Sequence, residues 1–200
     1  METKQSILDT ALKLFNNKGA YSITTRHIAS EMSISPGNLY YHYRNKEEII
    51  RHLLEKMTED FSRLYKDWPT EVEYQRDFND LISETGNIIY EYRFFYAEIA
   101  TLVDKDPILR KMYIEIKKDR INDFEKVYSV LCSLNCFVTP ISDHDFNTLV
   151  ENAWSMSEFI IQSMLINNVK ITRLNINQYF KRIMHIIKPY LKKEIWDGAL

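Results

Sequence analysis

Nine residues in one short stretch, Thr25, Arg26, Ser35, Gly37, Asn38, Tyr40, Tyr41, His42 and Lys46, combine cations, hydroxyls, an amide and an imidazole with a glycine that permits close approach. The set is suited to recognition rather than bond-making. Hydroxyls and cations satisfy phosphate oxygens, an asparagine amide can read the edge of a base, and tyrosine rings can rest on thymine methyl groups. Such chemistry is usable only if a scaffold presents these groups on one side.

The flanking sequence supplies that scaffold through local signals. Ile7, Leu8, Ala11, Leu12, Leu14 and Phe15 recur at three- and four-residue spacing and predict a helix over roughly 4–17 with one buried stripe. Gly19 follows, where a left-handed C-cap needs a residue without Cβ. Thr24 offers an N-cap hydroxyl for a second helix over 25–32, with Ile28 and Ala29 facing the core. Ser35 caps a third helix, Pro36 suits its first turn, and Leu39 anchors it. Asn45-Lys46-Glu47-Glu48 resembles the capping box of a fourth helix. Two short helices with a tight corner between them make a helix-turn-helix. In that geometry the second helix enters the major groove while the first crosses the backbone. Thr25, Arg26 and Lys46 are then placed for phosphates, and Ser35, Gly37 and Asn38 for base edges. Tyr40, Tyr41 and His42 divide between phosphate hydrogen bonds and apolar base contact.

Residues 3–50 resemble the N-terminal domain of the TetR family of bacterial transcription regulators. The resemblance rests on Ala11-x-x-Leu14-Phe15-x-x-x-Gly19, Thr24-Thr25-x-x-Ile28-Ala29 and Leu39-Tyr40-Tyr41-His42-Tyr43-x-Asn45-Lys46-Glu47. It implies Thr25, Arg26, Tyr40, Tyr41, His42 and Lys46 as contact positions, in agreement with the geometric reading. One departure is Ser33, where family members usually carry Gly at the turn. A positive φ there would store strain on the order of 1 kcal/mol.

Composition bounds the rest. The 200 residues include four glycines and five prolines, and three- and four-residue apolar spacing persists to the C-terminus, so the expected fold is all-α. The division expected is a helix-turn-helix head at 1–48 and a helical regulatory and dimerisation body at 49–200. Formal charge is −2, and within residues 1–50 six Lys/Arg oppose five Asp/Glu. Affinity for DNA must therefore come from placed charges and dimerisation rather than bulk attraction. Two cysteines and no secretory apolar segment point to a reducing cytoplasm, and no apolar run approaches membrane-spanning length, so no membrane is expected as a partner.

In the body, the fourth helix should run to about Lys66, Trp68-Pro69-Thr70 should interrupt the chain, and Thr70-x-x-Glu73 should cap a fifth helix ending near Tyr92. Gly86 would let that helix bend or let a ligand come close. Asp106-Pro107 opens a seventh helix to about Leu134. Residues 146–166 and 176–191 carry apolar groups over wide arcs, which calls for two neighbours rather than one. The family resemblance implies that these last helices pair with their copies in a homodimer. The interface expected uses Ala153, Ser157, Ile160, Ile161, Met164, Tyr179, Ile183 and Ile187; burial within one subunit is the competing explanation.

The resemblance also implies a small-molecule pocket in the aromatic-rich body. Phe95, Phe124, Tyr128 and Trp154 are its candidates for a small apolar or amphipathic ligand, although aromatics fill helical cores as well. Catalytic signals are weak. His144-Asp145 sits where a helix N-terminus favours acid, Cys132-x-x-x-Cys136 has no flanking ligands, and there is neither a phosphate-cradling glycine loop nor a nucleophile elbow. No cofactor, metal site or enzyme activity is expected. The reading is a DNA-binding regulator, a repressor released from a palindromic operator by a small ligand. The alternative is a DNA-bound scaffold that recruits a protein partner without an inducer. An enclosed pocket in the body would favour the first.

Overall fold

The computed structural model describes residues 2–66 and 74–195. Its helices are α1 (Glu2–Lys18), α2 (Thr25–Glu31), α3 (Pro36–His42), α4 (Lys46–Lys66), α5 (Tyr74–Glu91), α6 (Arg93–Lys105), α7 (Pro107–Ser133), α8 (Asp143–Glu158), α9 (Ile160–Ile166) and α10 (Arg173–Met184), with a 3₁₀ turn at Lys188–Tyr190. The expected break at Trp68-Pro69-Thr70 and the Thr70–Glu73 cap lie outside the described residues.

Local signals set the head. Gly19 terminates α1 in the left-handed region at φ 78°. Thr24 caps α2: its hydroxyl accepts from the His27 N–H at 3.3 Å, and the Thr24 N–H donates back to His27 Nδ1 at 3.2 Å. Asn45 caps α4, accepting from the Glu48 N–H at 2.8 Å. Ser33, between α2 and α3, takes φ 55°, so the strain implied by a non-glycine at that corner is present.

A continuous apolar cluster runs from Ile7 and Phe15 in α1 through Leu39, Leu53 and Phe95 to Ile161 and Ile183. Head and body therefore share one core. α1 packs on α2, α4 and α6, while α5 lies against α4 and α10. A Cβ on Gly86 would stand 1.6 Å from Asn177 Oδ1, so this glycine exists to let α10 approach α5.

Three features of the body depart from the pattern. Residues 146–166 are not one helix, because the chain kinks at Phe159, whose N–H bonds three residues back to Met156 O at 3.2 Å. The last helix ends at Met184 rather than 191. Beyond it, the backbone pairs with residues 136–138: the Val138 N–H donates to Tyr190 O at 2.8 Å and the Lys192 N–H to Cys136 O at 3.0 Å. A second cluster, including Val127, Leu131, Phe137 and Leu191, packs around this pairing.

Candidate nucleic-acid interface and internal cavity

The helix-turn-helix brings all nine sequence-predicted residues to one end of the molecule. Ser35 accepts the Asn38 N–H at 3.2 Å and so spends its acceptor on the α3 N-cap. Gly37 and Asn38 are exposed, and a Cβ on Gly37 would meet only Ser35 Oγ at 3.8 Å. Among the described residues nothing requires a glycine there. Tyr41 projects from the head with 85% of its surface exposed. Tyr40 shares a 3.0 Å hydrogen bond with the Thr25 hydroxyl, tying α2 to α3. Arg26 is exposed, and His42 is half-buried against Tyr41, with ring centroids 5.1 Å apart.

Lys46 has a second role that its sequence position did not show. Its ammonium donates to Ala20 O at 2.7 Å, joining the start of α4 to the α1–α2 turn. An ammonium has three donors, so a phosphate can still be met.

That turn is gripped from the body as well. Glu98 in α6 accepts from the Ala20 N–H at 2.9 Å and from the Tyr21 N–H at 3.0 Å. Asn16 donates to Glu91 O at 2.7 Å and accepts from the Phe94 N–H at 3.1 Å, pinning α1 to the α5–α6 joint. Arg51 in α4 meets Asp106 at 2.7 Å, and Asp106 also caps α7 through the N–H groups of Ile108 and Leu109. α6 and its first turn thus hold the head at two points, and Arg51 fastens α4, which leads out of the head, to the far end of α6. Sequence spacing gives no hint of Glu98, whose partners lie more than 70 residues away.

The body holds a partly open cavity of about 170 Å³ lined from α4, α5, α6, α7, α8 and α10. Phe124, Tyr128 and Trp154 line it, as expected. Phe95 does not: it is 1% exposed in the core and packs on Tyr113 with centroids 5.7 Å apart. Tyr96 and Tyr113 take the lining positions instead. Tyr113 donates to Glu158 Oε1 at 2.6 Å, as does Trp154 Nε1, and burial raises the Tyr113 pKa so that the phenol keeps its proton. Arg120 also lines the cavity and was missed. The signal was available, since Tyr113, Ile116, Arg120, Phe124, Val127 and Leu131 form a three- and four-residue stripe with one cation in it.

The expected dimer face is corrected. Ile160, Ile161, Met164 and Ile183 are at most 8% exposed and belong to the subunit's own core. Ala153, Ser157, Ile183 and Ile187 line the cavity, and Tyr179 is half-buried against the core. What faces outward is Met156, Phe159, Leu165, Ile166 and Leu174, each more than half exposed.

Asp145 at the start of α8 accepts a hydrogen bond from the N-cap Ser142 hydroxyl at 2.7 Å and returns its N–H at 3.2 Å, which accounts for the acidic first turn. Among the described residues no group of three or more His, Cys, Asp or Glu could hold a metal, and no helix is long and apolar enough to cross a membrane.

Residues 7–53 match the family profile described as bacterial regulatory proteins, tetR family, and residues 53–195 match that of the TetR bacterial transcriptional repressor. The chain belongs to the TetR family. Among TetR-family relatives, the negative regulator of the biofilm operon icaADBC, IcaR of Staphylococcus epidermidis, is 31% identical over 113 residues, covering 56% of this chain and 52% of IcaR. AcrR of Shigella flexneri is 32% identical over 77 residues, 38% of this chain and 33% of AcrR. The chain thus spans about half or less of these two relatives. A TetR-family regulator from Marinobacter aquaeolei VT8 superimposes with a TM-score of 0.86 at 27% identity, over 97% of this chain and 93% of that one. A regulator from Saccharomonospora viridis, solved with choline, gives a TM-score of 0.75 at 16% identity over 96% and 99%, a likeness of fold alone.

Proposed function

We propose that this TetR-family chain is a site-specific DNA-binding repressor that works as a homodimer and leaves its operator when a small apolar or amphipathic ligand enters the body. Residues 1–48 form the DNA-reading head and 49–200 the regulatory body. The observation that carries the DNA reading is the exposed face of α3: Gly37 without an internal reason for its missing Cβ, beside exposed Asn38 and Tyr41. Two such heads on a two-fold axis would read half-sites about 34–36 Å apart. The outward stripe of Met156, Phe159 and Ile166 is the proposed dimer contact.

The cavity favours a ligand-released regulator over a scaffold without an inducer, because a filled body would have left no room for one. Release is a population shift: the ligand binds better to a dimer whose heads are spaced wrongly for adjacent major grooves. Repression takes place in the cytoplasm, where the operator is. The test is quantitative binding to the intergenic DNA upstream of the chain's own gene, with competitor DNA present. Tyr41→Ala and Lys46→Ala should each weaken binding about tenfold or more while leaving the dimer intact. Unchanged affinity in both would sink the assignment of this face.

A further inference from the structure

Among the described residues, the polar groups of the cavity wall are answered from within the chain, with one exception. Arg120 lies 3.0 Å from Asp123 through Nη1 and donates to Ser62 Oγ at 3.1 Å through Nη2. Ser157 donates to Trp154 O at 2.7 Å, Tyr128 to Ile141 O at 3.1 Å and Tyr113 to Glu158 Oε1 at 2.6 Å. Glu158 keeps its charge but stands behind the lining, where it accepts from both Tyr113 and Trp154, so the cavity meets the two rings rather than the carboxylate. The Lys117 ammonium already lies over that Trp154 ring, 6.0 Å from its centroid.

The exception is Thr85. It lies on α5, 5% exposed, and lines the cavity, yet its hydroxyl has no hydrogen-bond partner among the described residues. A helical threonine can return its hydroxyl to the carbonyl four residues back. Thr58 does so to Leu54 O at 2.8 Å and Thr148 to His144 O at 2.9 Å, whereas Thr85 does not. A buried hydroxyl left unpaired costs stability, and an occupant that pairs with it recovers the loss.

An ion fares worse here than a neutral group. It would leave water for an apolar wall whose guanidinium is already paired, and ring faces alone do not repay the desolvation of a charge. A neutral oxygen carries a far smaller penalty, and the Thr85 hydroxyl can donate to it or accept from it. From the orphan Thr85 hydroxyl in a wall that is otherwise apolar or already paired, we infer that the ligand is an uncharged apolar molecule with one hydrogen-bonding oxygen, an alcohol or a ketone. Its oxygen pairs with Thr85 and its skeleton lies among Phe61, Ile82, Phe124 and Trp154. Volume bounds the skeleton: a cavity of about 150 Å³ accommodates benzene, so this one suits roughly six to ten carbons. The inference rests on the proposal that the body binds a small ligand, and it names that ligand's class.

The test is calorimetric titration of the whole chain at neutral pH with octanol, octanoate and octylamine, of which only octanol is uncharged there. Octanol should bind about tenfold or more tighter than either ion. Thr85→Val keeps the shape and removes the hydroxyl. Octanol affinity should then fall about three- to tenfold, while the unliganded protein melts about 2–4 °C higher because the orphan group is gone. No rise in melting temperature, or unchanged octanol affinity, in Thr85→Val would overturn the role of this hydroxyl. Octanoate or octylamine binding as tightly as octanol would overturn the uncharged class while leaving the pocket. No binding by any of the three would overturn the ligand-binding reading and this inference with it.

Discussion

Removing the Glu98 carboxylate should loosen the head from the body at one definable place. Glu98 accepts two backbone N–H groups, from Ala20 at 2.9 Å and Tyr21 at 3.0 Å. Hydrogen bonds to a charged group contribute about 1.5–3 kcal/mol each, and the Tyr21 end is exposed, where water replaces most of the loss. Truncation in Glu98→Ala should therefore cost about 2–3 kcal/mol in total. Glu98→Gln should cost roughly half as much, because its amide oxygen keeps one acceptor and its NH₂ faces the other donor. Hydrogen exchange reads this directly. If the turn opens locally, 2–3 kcal/mol corresponds to about 30- to 150-fold faster exchange at the Ala20 and Tyr21 amides. Amides in the middle of α1 should change far less. Since Lys46 donates to Ala20 O, operator affinity should also fall in Glu98→Ala, even though Glu98 lies in the body. Unchanged exchange at Ala20 and Tyr21, or a uniform acceleration across the head, would refute the claim that α6 holds this turn.

Further outcomes follow from other parts of the structure. Ser33→Gly should stabilise the chain by about 0.5–1 kcal/mol in urea unfolding, because φ 55° strains serine but not glycine; a loss of stability would contradict the strain. Phe159→Glu and Met156→Glu should each shift sedimentation from dimer toward monomer with the helical signal retained, whereas an unaltered profile for both would move the interface elsewhere. Tyr43 is fully buried, and burial, with smaller contributions from Glu48 and Glu55, pushes its pKa up to about 12 from 10. The unfolded phenol ionises first, so this contribution is intact below pH 10 and lost as pH rises from 10 toward 12, about 2–3 kcal/mol in all. Tyr43→Phe should flatten that alkaline decline, and an identical decline in the variant would assign it to other groups.

What could be read from sequence followed from how local each feature is. Gly19, Thr24, Ser35-Pro36 and Asn45 act on residues within four positions, and each terminates or starts a helix as its chemistry dictates. The left-handed corner at Ser33 rests instead on the family resemblance, which places glycine at that turn. The body resisted because its decisive contacts are distant in the chain. An apolar arc on α8, α9 and α10 shows that a helix is covered on two sides, but not which side meets its own subunit. Ile160, Ile161, Met164 and Ile183 were therefore placed on the wrong face. The end of α10 at Met184 follows from pairing with Cys136 and Val138, some 50 residues earlier, which no periodicity encodes. Phe95 and Tyr96 are neighbours in sequence, yet one fills the core and the other lines the cavity, a difference that adjacency in the chain does not encode. Arg120 was the readable exception, a cation set in an otherwise apolar stripe.

The central claim is that α3 sits in the major groove, twice per operator. Dimethyl sulfate protection tests it most directly, because it reports guanine N7 in that groove. On DNA recovered by selection with the purified protein, the account predicts two protected patches about one helical turn apart on one face of the duplex. Two chains should bind per site, and protection should be lost in Tyr41→Ala. Binding without discrete major-groove protection, or protection that survives Tyr41→Ala, Asn38→Ala and Lys46→Ala together, would contradict it.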